Sequence, residues 1–259
     1  MPHLLSPDGV IGSPLQAFGF LAIVLAGALV LLHAWLGQIR QGNGLGALWR
    51  PDMALVVCFA ALALLNLYHH SIAPLVGVFR PEVGDGGLIE NLTITVMIFP
   101  VILFAANRLL RKPARHFGPA FMIAVSAALI VGFGEEISWG EHWFGLAVPD
   151  AIAETNLQGE LNLHNYIRPG MMEALYYGVA LVLLLIAGNL RLVLAGEVSA
   201  PGRLGLKALL VLSAALLSHH VFQELGELVT IITAFLIWQR IDDRRLALKP
   251  RWLHQVTAI

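Results

Sequence analysis

The stretch "PLQAFGFLAIVLAGALVLLHAWLG", Pro14 to Gly37, carries no Asp, Glu, Lys or Arg. An α-helix rises about 1.5 Å per residue, so a run of this length is enough to cross a hydrocarbon core about 30 Å thick. Runs of this kind recur, and the spacing predicts spans at 15–36, 53–72, 88–109, 119–140, 172–194, 204–220 and 224–240. In lipid every backbone N–H and C=O must find a partner within the protein. A spanning segment is therefore a helix or part of a closed barrel, and the alternating pattern of a membrane barrel is absent. The expected fold is all-α: a polytopic transmembrane bundle of seven spans, with residues 1–259 as a single integral membrane domain. Composition agrees, with 58% hydrophobic residues against 13% charged and a mean hydropathy of +0.75, outside the range of soluble globular domains.

The last two spans need an argument, because Leu204 to Arg240 is too long for one straight crossing and is interrupted only by "SHHVFQELGE", Ser218 to Glu227. That piece is read as a turn. Basic residues test the reading, since short cytoplasmic loops collect Lys and Arg. Of the 16 basic residues, 14 fall between spans 1 and 2, 3 and 4, or 5 and 6, or in the C-terminal tail; only Arg80 and Arg168 fall on the other side. The N-terminus is therefore expected outside and the C-terminus in the cytoplasm, which requires an odd number of crossings. The opening "MPHLLSPDGVIGSP" has no basic region, so the first run is expected to be a permanent span rather than a cleaved signal. The implied location is a bacterial cytoplasmic (inner) membrane, with membrane lipids as partners. The net charge of −1, without a basic patch, gives no reason to expect a nucleic-acid partner. Cys58 is the sole cysteine, so there is no disulfide framework.

The same topology gathers the unusual polar residues near the outer face. Tyr68, His69, His70 and Ser71 end span 2, and Glu90 and Asn91 open span 3. Glu135, Glu136, Ser138 and His142 end span 4; His219, His220, Glu224 and Glu227 straddle the last turn; His164 lies in the extracytoplasmic loop at 141–171. Ionisable groups at membrane depth are costly and usually face a cavity or one another. Glu135, Ser138 and His142 repeat at helical spacing, as do His220, Glu224 and Glu227 if helix continues through the turn. Imidazole and carboxylate groups suit a divalent metal such as Zn, Fe or Mn. The expected ligands are Glu135, His142, His164, His220 and Glu224, with Glu136, Glu227 and Ser138 as the groups that carry chemistry. Trp139, Trp143 and Phe144 read as an interfacial aromatic belt, Glu154 and Glu160 as solvated or capping, and Glu173 as a helix N-terminal carboxylate favoured by the dipole.

"GEEISWGEHWFG" and the downstream "NLQGELNLHN", together Gly134 to Asn165, resemble the signature of a family of uncharacterised bacterial multi-pass membrane proteins. In that family Glu-Glu-Ile-Ser-Trp-Gly precedes a Gln; here Glu141 stands in its place. The resemblance implies a relative and no reaction. A more distant analogy, on span count and His/Glu content alone, is to the seven-span hydrolases that include alkaline ceramidases. Two functions fit these residues. One is a metal-dependent hydrolase or transferase acting on a lipid or lipid-linked substrate at the outer leaflet; the other is a proton-coupled transporter, with a non-catalytic interaction role as the bland alternative.

Overall fold

The computed structural model describes residues 14–42, 51–71, 88–105, 127–128, 130–135, 137–156, 159–163, 166–167, 169–190, 194 and 200–247. Among them helices dominate and no strand occurs. The long helices are α1 (Pro14–Arg40), α2 (Pro51–Ser71), α3 (Leu88–Ala105), α6 (Pro169–Gly188), α7 (Ala200–Leu217) and α8 (Gln223–Ala247); two one-turn helices, α4 (Glu141–Phe144) and α5 (Asp150–Ala153), lie between α3 and α6. Three long helices begin on proline, where the missing N–H removes a donor that the first turn could not satisfy anyway. Among the described residues four helical stretches are long and apolar enough to cross a membrane: Gln16–Arg40, Asp52–His69, Gly170–Gly188 and His220–Ile237. Residues 119–126, the first part of the expected fourth span, lie outside the described residues.

α7 is the hub of the bundle and packs against α1, α2, α6 and α8. Leu206, Leu209, Leu210, Ala214 and Leu217 are almost wholly enclosed. By contrast α1 turns Phe18, Leu21, Leu25, Leu29 and Leu32 outward, at the three- and four-residue spacing of one helical stripe. An apolar face left open in this way suits lipid as its solvent. Buried hydroxyls that would be orphaned in such an interior donate one turn back along their own helix. Ser213 bonds Leu209 O at 2.8 Å, Thr233 bonds Val229 O at 2.6 Å and Thr93 bonds Ile89 O at 3.1 Å.

Residues 204–240 are not one kinked helix. α7 stops at Leu217, His219 is extended (φ −137°, ψ 122°), a 3₁₀ turn covers His220–Phe222, and α8 folds back against α7. The fold-back is tightest at Gly226, where an added Cβ would lie 2.7 Å from Leu217 N and 3.0 Å from Leu216 C. Backbone cannot step aside as a flexible side chain can. We predict that Gly226→Ala destabilises the protein by about 1–3 kcal/mol from overpacking, more than the roughly 1 kcal/mol that alanine gains in helix propensity. Thermal unfolding in detergent checks this, with Gly178→Ala as the control: nothing lies within 4 Å of that position, and the change is expected to be neutral or mildly stabilising.

Contacts at the helix ends fix their relative directions. The Tyr177 hydroxyl donates to Gln16 O at 3.0 Å, joining the starts of α6 and α1. Phe20 packs edge-on against His219 with ring centroids 5.0 Å apart, and Asn66 Nδ2 donates to Val221 O at 2.7 Å. The starts of α1, α6 and α8 and the ends of α2 and α7 therefore share one end. At the opposite end an added Cβ on Gly205 would lie 2.5 Å from Asp52 Cβ, and Lys207 Nζ reaches Gly188 O at 3.5 Å. Arg203 and Lys207 thus sit at the end away from His69, His219 and His220.

Candidate functional site

Two polar groups stand out, one in the segment between α3 and α6 and one at the shared bundle end. The first begins where helix stops. The helical segment 130–135 ends at Glu135, and the chain then turns left-handed through Ser138 (φ 44°), Trp139 (φ 54°) and Gly140 (φ 82°). Left-handed backbone costs a non-glycine residue about 1–2 kcal/mol, so Ser138 and Trp139 must be held there by their surroundings. Gly134 makes room: a Cβ there would lie 2.8 Å from the Trp139 ring, and one on Gly140 2.7 Å from Phe144.

The acids of the motif do the holding. Glu135 Oε1 accepts from Trp139 Nε1 at 2.8 Å, and its Oε2 accepts from Leu163 N at 2.6 Å. Glu141 Oε2 accepts from Leu161 N at 2.8 Å. Two carboxylates of "GEEISWGE" thus grip alternate amides of "ELNL", which explains why the two halves of the motif belong together. Between them lies a buried hydrogen-bonded triad. Ser138 Oγ donates to Glu160 Oε2 at 2.8 Å, while Asn162 Nδ2 donates to the same oxygen at 2.7 Å and lies 3.2 Å from Ser138 Oγ. Asn156 supports it from behind, with Nδ2 donating to Asn162 O at 2.8 Å and Oδ1 accepting from Gly159 N at 3.0 Å. Ser138, Asn156 and Asn162 are buried and Glu160 is half-buried.

The second group ties helices together. Gln16 Nε2 donates to Glu173 Oε1, and the Tyr176 hydroxyl donates to Glu227 Oε1. His219 and His220 stack with centroids 4.8 Å apart; His219 Nδ1 accepts from Val221 N at 3.3 Å, while the buried Nε2 of His220 has no hydrogen-bond partner. Glu224 is exposed and Glu227 half-buried.

The structure changes several expectations. Glu135, Ser138 and His142 do not share a helical face, because the left-handed turn breaks the helix between the first and the last. His220 does not continue the stripe of Glu224 and Glu227, because extended His219 and the 3₁₀ turn precede α8. Glu173 is not in the first turn of α6; it joins α6 to α1. Glu160, read as solvated or capping, is instead the acceptor at the centre of the triad. Its signal was present in "GELN": Glu160 and Asn162 are two residues apart, a spacing that puts both on one side of extended chain. Tyr176 gave no signal beyond Glu173 three residues before it, and Gln16, in a stretch without charged residues, gave none.

Glu136 and His164 lie outside the described residues, and of His142, Glu90 and His70 only the backbone is described. Among the described residues no group of three or more His, Cys, Asp or Glu side chains is placed to hold a metal ion. Glu135 has both carboxylate oxygens engaged by donors of the protein, and Glu224 is exposed at the start of α8. Among the described residues these features define an all-helical protein with four helices long and apolar enough to cross a membrane. No family model, curated protein or solved structure matches the chain.

Proposed function

We propose that this chain is an integral membrane hydrolase or transferase acting on a lipid or lipid-linked substrate, with Ser138 as nucleophile and Glu160 as general base. The observation that carries the reading is the Ser138 Oγ to Glu160 Oε2 hydrogen bond of 2.8 Å on left-handed backbone. A serine hydroxyl is a weak nucleophile until a base takes its proton, and strained backbone gathers at sites where geometry matters more than local stability. In the proposed step Ser138 Oγ attacks the ester carbonyl carbon as Glu160 takes its proton. The departing alcohol oxygen then takes that proton back from Glu160, leaving an acyl-serine. Water, or an acceptor hydroxyl in a transferase, then attacks the acyl carbon as Glu160 takes its proton; the bond to Ser138 Oγ breaks and Glu160 returns the proton to that oxygen, which restores both residues. Asn162, donating to Glu160 Oε2, fixes the carboxylate toward the serine.

A divalent metal enters this reading as a test. Element analysis of protein purified without chelators is expected to find sub-stoichiometric Zn, Fe and Mn. A full equivalent, lost in His220→Ala or Glu224→Gln, would replace the serine mechanism with a metal-bound water at the bundle end, with Glu227 as its base.

A proton-coupled carrier is the second reading, favoured by the Tyr176–Glu227 and Gln16–Glu173 bonds that cross between helices beside stacked His219 and His220. In either reading the N-terminus is outside and the C-terminus cytoplasmic, on the strength of the 14-to-2 basic asymmetry and the alternating helix directions. Reporter fusions at both ends check this. A tail found outside would overturn the seven-span topology.

A further inference from the structure

In the described part of the segment between α3 and α6, Asp150 and Glu154 are exposed, while Ser138, Asn156 and Asn162 are buried and several large apolar side chains are exposed. Phe144 is 73% exposed, Leu163 66%, Leu146 46% and Trp139 44%. Three of these residues are linked by contacts: the Trp139 indole and the Leu163 backbone amide bind the two oxygens of one carboxylate, that of Glu135, and the Phe144 ring covers Gly140, next to Trp139. The indole N–H of Trp139 is turned onto Glu135, so the polar handle is satisfied within the protein and the ring is left outside. Three carboxylates follow the same rule, with Glu135, Glu141 and Glu160 each hydrogen-bonded inward.

We infer that the face carrying Trp139, Phe144, Leu146 and Leu163 is seated in the lipid interface of the membrane that the bundle crosses. Two observations single out lipid as the occupant. Exposed Tyr166 and Ile167 lie in sequence between Leu163 and α6, where Met171 and Leu175 are exposed too and one of the membrane-crossing stretches begins at Gly170, so this face stands within a few residues of a helix fit to be surrounded by a bilayer. No Lys or Arg occurs between Arg115 and Arg168, so attachment rests on apolar burial rather than on attraction to anionic headgroups. Aromatic side chains at this level match the amphipathic boundary between chain and headgroup. The consequence for the chain is that the Ser138–Glu160 triad is held at the surface of the bilayer by its own flanks.

The test uses the full chain in phosphatidylcholine vesicles. Cys58 is replaced by serine, and a single cysteine introduced by Phe144→Cys, or by Glu154→Cys as an exposed polar control, is labelled with an environment-sensitive nitrobenzoxadiazole dye. At position 144 the dye is expected to emit blue-shifted relative to position 154 and to be quenched by nitroxide-bearing acyl chains. At position 154 aqueous iodide should quench it instead. Adding anionic lipid should leave the contrast unchanged. Iodide quenching at position 144 equal to that at 154 would overturn the inference. So would a blue-shifted dye that nitroxide lipids do not quench, because protein would then be covering the face. Neither readout depends on enzymatic activity, so a failed hydrolase assay leaves this result standing.

Discussion

Ser138→Ala is expected to abolish release of fatty acid from ester-linked phospholipid vesicles by the reconstituted protein, and Glu160→Gln to slow it by about 10²–10⁴-fold. The two changes act on different parts of one proton transfer. Alanine removes the attacking oxygen; glutamine keeps the shape of Glu160 and its bond to Asn162 but cannot accept the serine proton. Asn162→Ala should have a smaller effect, because Asn162 orients the carboxylate without receiving a proton. Its signature would be a lower rate with the substrate KM little changed. If Glu160→Gln and Asn162→Ala were equally mild while Ser138→Ala unfolded the segment, the triad would be a structural pin.

The second large effect concerns the clamp. Glu135→Ala removes the acceptor of two hydrogen bonds, one from the Leu163 amide and one from the Trp139 indole, and leaves the left-handed turn without its tether. Bonds to a charged acceptor contribute about 1.5–3 kcal/mol each when shielded, and the exposure of this pair argues for the lower end. Amide exchange at Leu163 should therefore accelerate on the order of tenfold, with the bundle amides of α7 unchanged. Glu135→Gln should lose much less, since an amide oxygen still accepts from Leu163. A metal ligand would behave differently: Glu135→Gln would then lose the ion outright, and alanine and glutamine would be equally damaging.

The helices were legible because an apolar run without the alternation of a barrel strand has only the helix left as a solution in lipid. α1, α2 and α6 begin at Pro14, Pro51 and Pro169, each close to where the apolar pattern begins. The turn at Ser218 to Phe222 was legible too, since polar residues broke a run too long for one crossing. The local geometry of the site was not. Helical spacing placed Glu135 with His142 and His220 with Glu227, yet tertiary hydrogen bonds outweighed periodicity at both places. Gly140 permits a left-handed backbone, but nothing in "ISWG" says that Ser138 and Trp139 adopt it as well. That is decided by Glu160, twenty-two residues from Ser138, and by Glu135, whose partner Leu163 is twenty-eight residues away. Partners at such distances leave no periodic trace in the sequence.

The most direct measurement is mass spectrometry of the full chain, purified in detergent and treated with a long-chain alkyl fluorophosphonate. This reagent phosphonylates an activated serine and releases fluoride. One adduct is expected on the peptide containing Ser138, absent from Ser138→Ala and slowed by about 10²-fold or more in Glu160→Gln. Folded wild-type protein with no adduct at Ser138, or an adduct that forms at the same rate in Glu160→Gln, would contradict the serine mechanism.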